Sequence, residues 1–190
     1  MAKTIIIIFL IILMTLFLIK FQDRAAEPVA VPVPDTTNYL RDVYNLDVFC
    51  VDCLDRIISD MADRYYFDRR LLIALIKVES VNFNIWAISH NKRCFGLMQV
   101  DTATAKDICV RYKIKYKSII NLLFNPYYNI LIGCIHLAEL RERTENNQVL
   151  YLTLYNVGEG NYRNNPQKYV YPDYKFVEKI NTELKLMKGK

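Results

Sequence analysis

An almost unbroken apolar run, Thr4 to Ile19, stands between Lys3 on one side and Lys20, Asp23 and Arg24 on the other. No water-exposed surface accommodates such a run, so the chain must divide into a lipid-seeking segment and whatever folds behind it. Its length of about 16 residues lies between the roughly 7–15 of a secretion-signal core and the roughly 20 that span a bilayer. The small residues of an A-x-A cleavage site are missing, because Arg24 and Pro28 occupy the places before Ala26 and Ala30, and no cysteine stands there to carry a lipid. Residues 1–24 therefore read as a retained membrane anchor, with a cleaved secretion signal as the alternative. Lysines on both flanks leave the orientation to be set by function. Residues 25–46 follow as a linker, in which the spaced prolines of Glu27-Pro-Val-Ala-Val-Pro-Val-Pro34 favour an extended spacer.

Residues 47–190 are enough for one domain with its own core. Five glycines and six prolines in 190 residues are too few for a turn-dense all-β fold, so the expectation is a mainly helical domain. Leu54, Ile57, Ile58, Met61 and Tyr65 recur at helical spacing from about Asp52. Asp68 is a good N-cap for a strongly apolar helix that ends near Ser80. From Val81 to Gln99 the period is lost among Asn82, Asn84, Ser89, Asn91 and Gly96, which predicts a long loop with a short hairpin. Asp101-Thr102 caps a helix through about Arg111, and Asn125-Pro126 starts another through about Arg143. Asn147 to Val157 forms one more, closed by Gly158, and a last helix runs from about Asp173.

Several functions are excluded at this point. The net charge is +5, of which the first 24 residues carry +2; the mild remainder suits a polyanionic cell-wall polymer, a nucleic acid or nothing in particular equally well, and no nucleic-acid motif is present. The basic stretch Arg111 to Lys117 reads as a solvated helix end or loop. Cys50, Cys53, Cys94, Cys109 and Cys134 are odd in number, and Cys50 and Cys53 could pair together or with separate partners in an oxidising compartment. A lone C-x-x-C, with His90 and His136 far apart, lacks zinc-ligand spacing, and a redox site would need a βαβ context that is absent.

Four blocks, in order, carry the chemistry: Ala74-Leu-Ile-Lys-Val-Glu79-Ser80 with Phe83-Asn84 and Ser89 after it; Gly96-Leu97-Met98-Gln99; Asn125-Pro-Tyr-Tyr-Asn129-Ile130 with Gly133 and Leu137; and Leu154-Tyr155-Asn156-Val-Gly158-Glu-Gly160. Together they resemble the lytic transglycosylases, enzymes of the lysozyme-like superfamily that cleave peptidoglycan. The resemblance covers Leu71 to Gly160, about half the chain. It implies a lysozyme-like fold of the goose-type or transglycosylase kind, with a small loop or hairpin region beside the cleft. It also implies peptidoglycan glycan strands as substrate and no cofactor or metal.

A carboxyl at the end of an apolar helix is partly desolvated, which raises its pKa and makes Glu79 a fitting general acid. Ser80 to Val100 contains no Asp or Glu, so the second carboxylate of an ordinary glycosidase is missing from the loop unless Asp101 or a distant residue supplies it. The resemblance implies a route that needs one carboxyl: Glu79, once ionised, takes the proton of the muramic acid C6 hydroxyl and a 1,6-anhydro ring closes. The substrate-binding set is expected to be Ser80, Ser89, Met98, Gln99, Tyr155, Asn156 and Tyr174. Gln99 can hydrogen-bond an acetamido group, with a structural loop bond as its alternative. Ser80, lacking a histidine to activate it, has capping as its alternative, and Met98 has the core. Tyr155 and Asn156 are expected to face Glu79 from the opposite wall. Gly158 and Gly160 read as turn glycines, with Glu159 exposed between them.

The sequence departs from the family at Ile85 and Thr102, where prolines are common, and at Phe176, which stands where the last helix often has a tyrosine. Tyr174 and Tyr171 are the substitutes at hand. The competing functions are a hydrolytic muramidase of the same fold, a non-catalytic peptidoglycan-binding assembly factor and, more distantly, a redox protein built on Cys50 and Cys53. A membrane-anchored domain on the cell-wall side fits local opening of the wall for a secretion, pilus, conjugation or phage assembly.

Overall fold

The computed structural model describes residues 48–170 and 174–188, with side chains from residue 51 onward. The anchor and linker readings for 1–24 and 25–46, the Cys50 side chain and Tyr171 lie outside the described residues. Among the described residues no helix is long and apolar enough to cross a membrane.

The helical expectation holds. Helix α1 (Val48–Tyr65) begins earlier than its apolar period suggested and buries Val51, Leu54, Ile58 and Met61 on one face. Asp68 caps α2 (Arg69–Glu79) by accepting the Arg70 N–H at 2.8 Å, and Leu71 through Ile76 are all buried. A helix so enclosed has little freedom to shift, and its last residue is Glu79. The loop that follows holds the expected hairpin, with β1 (Cys94–Phe95) antiparallel to β2 (Val100–Asp101) and Ile88 bridging to Phe95.

Asp101 then caps α3 (Thr102–Arg111) through the Ala103 N–H. A six-residue helix, α4 (Ile119–Phe124), was missed because so few residues show no period. Pro126 opens α5 (Pro126–Arg143), whose cap Asn125 accepts from the N–H groups of Tyr127 and Tyr128. This helix is the centre of the domain and packs against α1, α3, α4, β2 and α6 (Gln148–Val157). Gly158, at φ 78°, breaks the chain between α6 and α7 (Glu159–Asn164). Gly160 is therefore a helical residue, which corrects the expected turn. Glu159 is also not simply exposed: its carboxylate pairs with Arg143 at 2.7 Å. A 3-10 turn, Pro166–Tyr169, leads toward α8 (Lys175–Lys188), which packs on α2 and α6. Lys77 on α2 and Glu183 on α8 form a largely buried ion pair that fixes this packing.

Candidate active site

Glu79 opens on a cleft of about 680 Å3 between the end of α2, the hairpin, α5 and α6. Ser89, Gln99, Tyr155 and Asn156 share its walls, as does Asp101, named above as a possible second carboxylate, together with His90, Asn91, Arg93, Cys94, His136 and Asn161, which the sequence did not single out for the cleft. His136 was the most findable of these, since it lies one helical turn beyond Gly133 in the third block.

Burial pushes the Glu79 carboxyl up from 4.5 to about 7, against the smaller opposing effect of a hydrogen bond from Asn156. That bond runs from Asn156 Nδ2 to Glu79 Oε1 at 3.2 Å, and among the described residues it is the carboxyl's hydrogen-bond partner. Asn156 Oδ1 in turn accepts from the Tyr174 hydroxyl. Burial, and then the nearby Glu79 charge, raise the Tyr174 phenol to about 12, so it stays protonated and acts as a donor. Tyr174 thus brings a hydroxyl to Asn156 two residues before Phe176, which is itself buried.

The opposite wall is held together by polar side chains bonded to backbone. Asn129, fully buried, donates to the carbonyls of Phe95 and Leu123 at 2.8 Å each and accepts the Met98 N–H at 2.7 Å. A Cβ on Gly96 would come within 2.3 Å of that Asn129 amide, so the clamp requires glycine there. Gln99 Nε2 donates to the carbonyls of Ala87 and Gly96, which leaves its carbonyl oxygen as the group able to meet a substrate donor. Ser89 Oγ donates to Asn91 and accepts the Cys94 N–H, shaping the loop at the cleft's edge. Tyr155 donates to the Met98 carbonyl at 2.9 Å, with its ring 5.4 Å from that of His136.

Three expected binding residues do not line the cleft, and of these Tyr174 stands behind it, bonded to Asn156. Ser80 is fully buried and donates to the Ile76 carbonyl at 2.6 Å, because as the C-cap of α2 its side chain turns back along the helix. Met98 is also fully buried and packs against Gly133, where an added Cβ would meet its sulfur at 2.5 Å. Asp101 does line the cleft, but its Oδ1 accepts the Ala103 N–H and its Oδ2 pairs with Arg93 at 3.0 Å. Cys94 also lies there, with its thiol pushed up by burial and so kept protonated. The site can thus present one proton-exchanging carboxyl, a donor network behind it and an acceptor across the cleft.

Comparison with known proteins agrees with this geometry. The family model for the transglycosylase SLT domain matches residues 56–175. Membrane-bound lytic murein transglycosylase C of Salmonella arizonae is 32% identical over 143 residues, 65% of this chain and 38% of that protein. The protein of the same name from Actinobacillus pleuropneumoniae is 37% identical over 87 residues, 45% of this chain and 23% of that protein. The chain thus spans well under half the length of these relatives. The crystal structure of an inactive mutant of lytic transglycosylase Slt from Pseudomonas aeruginosa shares the fold, with a TM-score of 0.59 at 20% identity over 70% of this chain and 23% of that one. With the SLT model running from α1 into the start of α8, through Glu79 and the walls of its cleft, the chain belongs to the transglycosylase SLT domain family.

Proposed function

We propose that this protein is a peptidoglycan lytic transglycosylase that cleaves the β-1,4 bond between N-acetylmuramic acid and N-acetylglucosamine. The observation that carries the reading is a single half-buried carboxyl held near pKa 7 on a cleft whose other acid, Asp101, has its oxygens engaged. A group with that pKa is populated in both forms at neutral pH, as a residue acting first as acid and then as base requires.

Protonated Glu79 gives its proton to the bridging oxygen, the C1–O bond breaks, and N-acetylglucosamine leaves with a free hydroxyl. Positive charge develops at C1 of the muramic acid. Ionised Glu79, stabilised by the Asn156 N–H that Tyr174 orients, removes the proton of the C6 hydroxyl. That oxygen closes on C1 as a 1,6-anhydro ring, and Glu79 is protonated again with no water consumed. The Gln99 carbonyl oxygen accepts from an acetamido N–H, and Ser89 contacts the strand at the rim. A hydrolytic muramidase would need a second carboxylate free to activate water, and the bonds of Asp101 weigh against it.

In this reading residues 1–24 anchor the protein, 25–46 act as spacer and 47–190 form the catalytic domain on the cell-wall side. The names of the Salmonella and Actinobacillus relatives, both membrane-bound, support such a placement. A secretion, pilus, conjugation or phage assembly is the partner that local wall opening would serve. The test is digestion of purified peptidoglycan by the full chain beside Glu79→Gln, with products identified by mass spectrometry. Anhydro-muropeptides absent from the control are expected, with a loss of at least about 10³-fold. Reducing ends would make the protein a muramidase, and no product from folded protein would make it a binding factor.

A further inference from the structure

The hydrogen bond from Tyr174 to Asn156 depends on where the Tyr174 ring sits, because a phenol hydroxyl is carried rigidly by its ring. One neighbour of that ring is the buried Phe176, with centroids 6.4 Å apart. The other is Tyr169, the last residue of the 3-10 turn, whose ring meets it edge to face at 5.4 Å and 88°. Tyr162 of α7 stacks on Tyr169 in turn, at 6.3 Å and 28°. The backbone follows the same path, since the Tyr174 N–H donates to the Val170 carbonyl at 3.0 Å. Three half-buried tyrosines thus form a row that ends at Asn156 and Glu79. Neither Tyr162 nor Tyr169 lines the cleft, and among the described residues neither hydroxyl makes a hydrogen bond. What these two contribute is their rings.

The Asn156 amide can be turned two ways. As it stands, Nδ2 faces Glu79 and Oδ1 accepts from the Tyr174 hydroxyl, the arrangement that supports an ionised carboxylate. Turned over, Oδ1 would face Glu79 and could serve only the protonated acid. The Tyr174 proton selects the first arrangement, and it does so only while its ring is held. We propose that Tyr169 is a positioning residue for the Glu79 reaction: its ring, backed by Tyr162, keeps the Tyr174 hydroxyl on Asn156 and so keeps the amide N–H on the carboxyl. The proposal rests on the lytic transglycosylase reading and extends its machinery to residues outside the cleft wall.

The test measures kcat, KM and the pH profile of the full chain on purified peptidoglycan for Tyr169→Ala and Tyr169→Phe, each alone and combined with Tyr174→Phe. Tyr169→Ala is expected to lower kcat roughly fivefold with KM unchanged, the effect of losing one edge-to-face ring pair. The alkaline limb of its kcat profile should move to higher pH, because a bond that favours ionised Glu79 is weakened. Tyr169→Phe keeps the ring and should stay within about twofold of wild type. In the Tyr174→Phe background Tyr169→Ala should cost nothing further, since the hydroxyl it positions is gone. No loss in Tyr169→Ala, an equal loss in both backgrounds, a loss confined to KM, or the same loss in Tyr169→Phe overturns the positioning role while leaving the transglycosylase reading intact. Failure of the wild type to release anhydro-muropeptides overturns that reading and the role with it.

Discussion

The two walls of the cleft hold their functional groups by different means. On one side the acid sits at the end of α2, whose preceding turns are locked into the core, and among the described residues its direct polar support is Asn156. On the other, the hairpin has two-residue strands and keeps its shape through side chains that bond to its backbone, chiefly Asn129, Gln99 and Ser89. A packed helix supplies position without polar partners, and so lets the carboxyl be poorly solvated. A hairpin this short cannot stand on its own ladder and must be clamped.

The largest effect expected from this contrast is at the clamp. Asn129→Leu keeps a buried side chain but strands two carbonyls and an N–H, so it should destabilise the domain by roughly 3 kcal/mol or more. Denaturant titration measures this, and a loss below about 1 kcal/mol would show that the hairpin does not depend on the clamp.

The opposite sign is expected at the acid. The Glu79 pKa is raised on folding from 4.5 to about 7, so the native state binds its proton more tightly than the unfolded chain. The stability this gives is complete below about pH 4.5 and is lost as pH rises through 7. Glu79→Gln escapes that loss. Allowing for the half-buried position, the variant should be more stable than wild type by about 2 kcal/mol at pH 8 and equal to it near pH 4. Equal melting at both pH values would mean that the helix end does not desolvate the carboxyl.

Tyr174→Phe is predicted to be milder, lowering kcat roughly tenfold with little change in KM or melting temperature, since it removes one donor that orients Asn156. A fall in melting temperature instead would make the tyrosine part of the packing. Ser89→Ala, at the rim of the clamped wall, should raise KM about threefold and leave kcat alone.

Much of this was legible in the sequence, for reasons that differ by element. Asp68, Asp101, Asn125 and Asn147 each mark a helix start because their side chains accept the orphan N–H groups there, a local interaction that local sequence specifies. Glu79 was singled out by four motif blocks in order, and its place at the end of an apolar helix agreed with them. Ser80 and Met98 were misplaced because membership of a motif does not say which way a side chain points. Ser80 follows the helix backbone inward, and Met98 is drawn into the space left by Gly133, a contact 35 residues away in the chain. A hollow of about 740 Å3 beside the cleft was invisible for the same reason, its walls from α3, α5, α6 and α7 meeting only on folding.

The residues after Glu79 and Ser80 have a consequence of their own. Val81, Asn82 and Phe83 take φ values of 52°, 67° and 62°, a left-handed run that no helix can continue through and that is costly for a β-branched residue. With Asp68 fixing the other end, α2 is a gauge of 11 residues with a stop at each end. One inserted residue would carry the carboxyl about 1.5 Å along the axis and about 100° around it. The reach of the acid is therefore set by counting, and in this chain a residue added to or removed from α2 would take the carboxyl off its cleft.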